Sequence, residues 1–203
     1  DTYDFKEFFL NYFTKVIPVD ETILNKIDWK LWFKGTGGAP IFKVPECKLI
    51  KDAKLLVDKW CTDDYNGNIN DIKGYFVQQI ELLLDSLYEI WSKQLKDKKC
   101  TVNDLLKRLN KMKECYGFNK SKNNEILFRF NKLALLCNDN TQYNSVVTML
   151  GAVGRMKFVR PLYRELIKNK DRYKLAQQTY DTNKNFYHPI CAKMVKNDLD
   201  KVF

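Results

Sequence analysis

Apolar residues recur every three or four positions along most of the chain, and this spacing constrains the fold more than any other feature of the sequence. The clearest example is the run of Phe76, Ile80, Leu83, Leu87 and Trp91. Residues at this spacing lie on one face of an α-helix, where they can be buried together. Short alternating strands between turn signals are scarce, which argues against a sandwich or barrel. The sequence therefore predicts an all-α protein.

Roughly seven such helices, of about ten to eighteen residues each, are predicted after residue 46, and short polar loops join them. One of them begins at Thr101, which forms the pattern of a capping box with Asp104, and it is predicted to bury Leu105, Leu109, Met112 and Tyr116. Thr141 and Asp171 are predicted to cap two later helices. Consecutive helices on short loops become antiparallel neighbours. Because no strict sequence repeat is visible, the pattern by itself allows either a helix bundle or a stacked αα-superhelix.

A domain border is predicted at residues 35–46, where the sequence reads GTGGAPIFKVPE. This segment holds three of the eight glycines and two of the five prolines of the chain. Such a segment cannot be helical and is predicted to be an extended linker. Residues 1–34 before it carry an aromatic helical stripe with little to pack against locally. They are therefore interpreted as the helical tail of a preceding domain, and residues 47–203 as the main domain.

Charge and cysteine content narrow the classes of function. The formal net charge of +10 is typical of proteins that bind nucleic acid or an acidic membrane. However, 29 of the 35 cations are lysines, and they are spread among 25 acids, which favours solvated helix faces over a phosphate-reading groove. The six cysteines contain no C-x-x-C pair, and the single histidine, His188, makes a zinc site improbable. No apolar run is long enough to span a membrane, and free thiols in a cytoplasmic protein are expected.

The stretch GRMKFVRPLY, residues 154–163, carries the main candidate for a binding site. Pro161 suits the first turn of a helix, so residues 155–159 are predicted to be extended or turn-like. Arg155 and Lys157 would then share one side, with Met156 and Phe158 anchored in the core on the other. Two cations held in this way suit one carboxylate or phosphate. Local physics leaves two alternatives open, a solvated basic turn and cations paired with acids of the protein itself.

Several blocks of the sequence resemble, in order and spacing, the C-terminal helical domain of the leukotriene A4 hydrolase and aminopeptidase family of M1 zinc peptidases. They read NNEILFRFNKLALL, GRMKFVRPLYREL and TYDTNKNFYHP. The earlier DFKEFFLNYF and IDWKLWFKGTGGAP resemble the junction at which that family's catalytic domain ends. The resemblance implies a two-layered, armadillo-like α-superhelix packed against the catalytic domain. It also implies that Arg155 and Lys157 bind the carboxylate of a short peptide or of a lipid epoxide. Arg160 and Arg164 are nearby, but they are expected to form structural pairs with acids such as Glu165.

The motifs that hold the family's zinc and its substrate amine, H-E-x-x-H and G-x-M-E-N, do not occur in these residues. The resemblance therefore implies that zinc belongs to the parent enzyme, that this chain binds none, and that it has no peptidase activity alone. Its expected partners are its own catalytic domain and the substrate carboxylate, with neither membrane nor nucleic acid favoured. A different reading remains open, a non-catalytic helical-repeat scaffold that binds acidic partners or nucleic acid.

Overall fold

The structure is a computed structural model, and it describes residues 1–37, 47–62 and 64–201. The chain divides into two compact units, Asp1–Pro45 and Glu46–Phe203. The described residues of both units contain helices, turns and loops but no strand, so the all-α prediction is confirmed. Most of the predicted linker, residues 38–46, lies outside the described residues.

The described part of the first unit contains three α-helices, α1 (Thr2–Asn11), α2 (Glu21–Leu24) and α3 (Trp29–Lys34), with a π-helical turn over Tyr12–Val16. Side-chain oxygens of Asp1 and Asp28 accept backbone N–H groups at the starts of α1 and α3, as expected of N-caps. The aromatic rings of α1 and α3 contact each other, with the centroids of Phe9 and Trp29 5.5 Å apart. Among the described residues of this unit only Leu24 is buried.

The second unit contains eight α-helices among its described residues. They are α4 (Lys48–Trp60), α5 (Val77–Lys96), α6 (Val102–Tyr116), α7 (Asn124–Leu136), α8 (Tyr143–Ala152), α9 (Met156–Leu166), α10 (Tyr173–Asn183) and α11 (Pro189–Asp200). Short 3-10 turns precede α5, α7, α8 and α10. The capping box predicted at the start of α6 is present, because the Asp104 carboxylate accepts from the N–H and hydroxyl of Thr101.

Alternate helices of this unit are neighbours in space. Helix α5 packs against α7, α7 against α9, and α9 against α11, while α8 and α10 contact each other. Consecutive antiparallel helices that alternate between two rows form a two-layered αα-superhelix. The predicted fold is therefore confirmed.

Helix α7 lies at the centre of this unit because it contributes to both hydrophobic cores. Its Phe130 and Leu133 are fully buried with α4, α5 and α6, in a core that includes Trp60 and Trp91. Leu135, on another face of α7, is buried with residues of α8 to α11. The start of α7 is consequently fixed relative to both α5 and α9.

Three helix starts differ from the sequence prediction. Helix α9 begins at Met156, so Pro161 is its sixth residue and does not lie in its first turn. The turn leading into α8 is capped by Asp139 instead of Thr141, because the Asp139 carboxylate accepts the N–H of Thr141. Likewise, Asn169 and not Asp171 caps the turn that leads into α10. In these two turns the capping side chain lies two residues earlier than predicted.

Candidate functional site

The candidate cations lie where α8 gives way to α9. Arg155 has extended backbone angles, φ −70° and ψ 119°, and is the N-cap residue of α9. Lys157 lies in the first turn of the helix. The prediction that residues 155–159 are extended is therefore wrong beyond Arg155. The cause is burial, because a helical segment places Phe158, Val159 and Leu162 together in the second core.

Both cations lie beside the same aromatic ring. The Cζ atom of Arg155 is 5.8 Å from the centroid of the Phe158 ring, and the Nζ atom of Lys157 is 5.3 Å from it. Phe158 is buried, as predicted, whereas Met156 is 42% exposed and does not anchor the segment. Two side chains that are two positions apart on a helix point about 200° away from each other. Arg155 and Lys157 can nevertheless lie beside one ring, because the backbone of Arg155 is not helical.

Lys157 has an acidic partner within the protein. Its Nζ atom lies 2.6 Å and 2.7 Å from the two carboxylate oxygens of Glu125, which is in the first turn of α7. The hydrogen bonds from Lys157, and next those from Arg129, lower the pKa of Glu125 below its ordinary value. Pairing with an acid of the protein, one of the alternatives left open by the sequence, thus occurs for Lys157.

Arg155 is in a different state. Its side chain is exposed, and none of the carboxylates in the described parts of the chain forms an ion pair with it. It also stands at the N-terminus of a helix, where unpaired backbone N–H groups and the helix dipole favour a negative charge. No ion pair with an acid of the described residues therefore has to break before the Arg155 guanidinium contacts an external acid.

Glu125 is itself held by a wider set of charges on α5 and α7. The Arg129 guanidinium lies 2.8 Å from a Glu125 oxygen, 2.7 Å from Asp85 and 3.2 Å from Glu81. Burial opposes the charge of Arg129, but hydrogen bonds to Asp85 and Glu125 outweigh it and raise the pKa of Arg129. These contacts connect three neighbouring helices, α5, α7 and α9, at the end where Arg155 lies.

An exposed aromatic ring lies next to Gly154, the residue before Arg155. A Cβ atom on Gly154 would lie 3.4 Å from the ring of Phe186, in ordinary van der Waals contact with it. Phe186 is 54% exposed. The surroundings of Arg155 thus combine positive charge with apolar surface, which suits a ligand that carries an acid group on an apolar body.

The other two arginines of α9 are paired with an acid of α11. Arg160 and Arg164 each donate two hydrogen bonds to the carboxylate of Asp198, at 2.6 to 3.2 Å. The sequence predicted structural pairs for both arginines and gave Glu165 as an example of the acid. Glu165 instead accepts from Lys168 at 2.8 Å and from the Tyr88 hydroxyl at 2.5 Å. The pKa of Asp198 is far below its ordinary value, chiefly because of Arg160 and then Arg164.

Sequence reasoning missed Glu125, Phe186 and Asp198 as neighbours of the candidate arginines and lysine. Glu125 lies 32 residues before Lys157, and Asp198 lies 38 residues after Arg160. Contacts at such separations leave no periodic or capping signal in the sequence. The spacing of four residues between Glu125 and Arg129 is a local signal that could have indicated their ion pair on one helix.

The described residues do not fit a zinc ion. Nowhere in residues 1–37, 47–62 and 64–201 do three His, Cys, Asp or Glu side chains come together as metal ligands would. The Nδ1 atom of His188 accepts the N–H of Ile190 at 3.3 Å and so caps α11. All six cysteines are free thiols. In the same ranges, every helix is too short or too polar to cross a bilayer.

Taken together, the two-layered superhelix and the start of α9 define an all-helical domain with two neighbouring exposed cations at one helix start. The family model described as "Leukotriene A4 hydrolase, C-terminal" matches residues 75–199. The chain belongs to this family, and the resemblance seen in the sequence is confirmed.

Curated relatives extend the match over nearly the whole chain. A leukotriene A-4 hydrolase homolog of Botryotinia fuckeliana is 34% identical over 208 residues, which cover 98% of this chain and 29% of the relative. Leucine aminopeptidase 2 of Neurospora crassa is 33% identical, with 98% and 28% covered. The chain thus spans less than a third of the length of these relatives.

Solved structures agree with the sequence relatives. The structure of native yeast LTA4 hydrolase superimposes with a TM-score of 0.77 at 29% identity, covering 94% of this chain and 32% of that one. The same yeast enzyme in complex with bestatin gives a TM-score of 0.74 at 32% identity, with the same coverage.

Proposed function

We propose that this chain forms one wall of the substrate cavity of an M1 zinc aminopeptidase and binds the substrate carboxylate through Arg155 and Lys157. The observation that supports this role is the state of Arg155. It is an exposed guanidinium at a helix N-terminus that has no ion pair with the described acids, and it lies beside the same ring as Lys157. The arginines within α7 and α9, which are Arg129, Arg160 and Arg164, are each paired with a carboxylate of the chain.

The chemistry of such a site is recognition at a distance from the reaction. The planar guanidinium donates two parallel hydrogen bonds to a carboxylate, and the α9 dipole adds to the attraction. Holding the acid end of a peptide fixes which bond lies at the reacting centre, and correct positioning of reactants contributes much of a typical rate enhancement. The same pair of cations could hold the acid group of a lipid substrate.

The metal of the parent enzyme is proposed to lie outside this chain. The described residues offer no suitable ligand set, and His188 is already used as a helix cap. We therefore propose that zinc is bound by the part of the enzyme that precedes residue 1, that this chain alone lacks peptidase activity, and that the enzyme is cytoplasmic.

The first unit is proposed to pack against that same preceding part. Its aromatic side chains are widely exposed, with Phe5, Phe8 and Trp32 each more than half accessible. They border a groove of about 410 Å³ lined by Phe5, Phe9, Ile27, Trp29, Trp32 and Phe33. Exposed apolar surface of this kind marks an interface, which agrees with a tail of the catalytic domain.

Replacing Arg155 by alanine in the full-length protein tests the carboxylate role. Because a charged hydrogen-bonded pair is lost, we expect kcat/KM for short peptides with a free C-terminus to fall about 100-fold. The same peptides with an amidated C-terminus should lose little. Arg164→Ala is the matched control, since that arginine is on the same helix but is occupied by Asp198. Equal losses for free and amidated peptides would rule out carboxylate binding by Arg155.

A further inference from the structure

The ammonium group of Lys157 already holds a carboxylate. Both oxygens of Glu125 lie within 2.7 Å of it, which is the contact that a substrate acid would make. Lys157 remains 44% exposed on its side chain and Glu125 26%, so the pair lies at the surface where a ligand can reach it. A substrate carboxylate that approaches Lys157 would therefore encounter the carboxylate of Glu125.

Glu125 does not depend on Lys157 for its position. Its backbone N–H donates to the Asn123 side chain, which caps α7. Its carboxylate is held by Arg129 at 2.8 Å, and Arg129 is fixed in turn by Asp85 and Glu81 from α5. The acid is thus anchored from two helices and stays in place when Lys157 moves or binds something else.

The charges of the site follow from these contacts. Arg155, Lys157 and Arg129 carry three positive charges, and Glu125, Asp85 and Glu81 carry three negative ones. Of the three cations only Arg155 has no ion pair with the described acids, so the site matches one carboxylate. A ligand with two neighbouring negative charges would be attracted by one charge and would also face Glu125, because like charges at short range repel.

We infer that Glu125 is an internal competitor for the substrate carboxylate and a specificity-determining residue of the site. It weakens binding of the acid end at Lys157, and it selects peptides whose last residue has an uncharged side chain over peptides that end in Asp or Glu. This inference rests on the proposed function, because it concerns the same carboxylate site.

The direct test is Glu125→Gln in the full-length protein. Glutamine keeps an acceptor for Lys157 and removes the negative charge. With two otherwise identical peptides that end in Asn or in Asp, both with free C-termini, we expect KM for the Asn peptide to fall about three- to tenfold. KM for the Asp peptide should fall further, so that the preference for Asn over Asp shrinks. An amidated peptide should keep its KM, and kcat should change little.

The matched control is Glu81→Gln. It removes a carboxylate from the same group of charges, but Glu81 contacts Arg129 at 3.2 Å and makes no ion pair with Lys157. Its effect on the Asn and Asp peptides should be equal and less than about twofold. A loss of Asn preference as large as that of Glu125→Gln would show that the charge acts through Arg129, and would overturn the inference.

A double-mutant cycle with Lys157→Met tests whether Glu125 weakens substrate binding by occupying Lys157 or acts independently of Lys157. If Glu125 acts by occupying Lys157, Glu125→Gln should change KM less than about twofold once Lys157 is absent. An unchanged KM for Glu125→Gln in the wild-type background, or a raised one, would overturn the inference. If Glu125→Gln does not fold, Glu125→Asp replaces it, since the shorter acid cannot hold Lys157 and Arg129 together. The Asn peptide should then show a smaller fall in KM, and no fall would again overturn the inference.

Failure of this inference is distinguishable from failure of the proposed function. If Arg155→Ala discriminates free from amidated peptides but Glu125→Gln leaves the Asn and Asp peptides unchanged, only the role of Glu125 is wrong. If Arg155→Ala affects both kinds of peptide alike, the carboxylate site itself is wrong.

Discussion

The two ends of helix α9 carry the same kind of side chain in opposite states. At its start, Arg155 has no acidic partner among the described residues and lies open beside the Phe158 ring. Further along, Arg160 and Arg164 share the carboxylate of Asp198, which is itself almost buried. The sequence predicted structural pairs for Arg160 and Arg164, but it did not identify Asp198 as their acid.

The difference shows that a neighbouring acid determines whether an arginine joins helices of the fold or keeps its donors free for an anion. Asp198 receives four hydrogen bonds from two guanidinium groups, so it joins α9 to α11 and uses the Nε and Nη2 donors of both arginines. An arginine without such an acid contributes little to folding but keeps its donors for an external anion. Arg160 and Arg164 therefore join two helices, whereas Arg155 keeps the donors that the proposed binding role requires.

The largest effect that would test this comparison is expected from Asp198→Ala. The substitution leaves two guanidinium groups without their acid in a partly buried place, so the free energy of unfolding should fall by about 2–3 kcal/mol. Denaturant unfolding followed by circular dichroism measures it. Asp200→Ala is the control, because that acid pairs only with Lys196 on the surface and should cost less than about 0.5 kcal/mol. Equal losses would mean that the α9–α11 pair is not structural.

A smaller effect is expected from pH. The pKa of Asp198 is lowered in the folded protein, first by Arg160 and then by Arg164. A carboxyl group with a lowered folded pKa stabilises the fold above its unfolded pKa of about 3.9 and loses that contribution as the pH falls. Between pH 7 and pH 3, the free energy of unfolding should therefore fall by about 1–2 kcal/mol less in Asp198→Asn than in the wild type. Parallel stability curves for the two proteins would contradict this assignment.

The smallest effect is expected at the other end of the helix. Arg155→Ala should change the free energy of unfolding by less than about 0.5 kcal/mol, because an exposed arginine without an ion pair adds little to folding. The same denaturation experiment checks it. A loss as large as that of Asp198→Ala would show that Arg155 is a structural residue, and the contrast between the ends of α9 would disappear.

Local interactions could be read from the sequence. The Thr101 capping box and the stripe of Leu105, Leu109, Met112 and Tyr116 depend on residues within a few positions of each other, and all of these behave as predicted. Pro161 misled the prediction because its preference for a helix start is local as well. Burial of Phe158, Val159 and Leu162 outweighs the backbone hydrogen bond that a proline cannot donate.

The candidate site was only partly readable for the same reason. The two cations and the buried Phe158 could be named from their spacing, and the structure places both cations at one ring. The acid that holds Lys157 comes from another helix, and nothing in the sequence near Lys157 points to it. Which cation stays open is decided by how α5, α7 and α9 pack, so it could not be predicted from the GRMK stretch.

The turns that lead into α8 and α10 carry a further consequence. Asp139 caps one and Asn169 caps the other, and the Asn169 side chain donates to the side chain of Asn138 at 3.2 Å. This amide-to-amide bond joins successive hairpins of the stack directly, so it helps to set the pitch at which they follow one another. Arg155 lies at the opposite end of these hairpins. A small rotation of one hairpin about this bond would therefore displace Arg155 more than the residues beside the bond.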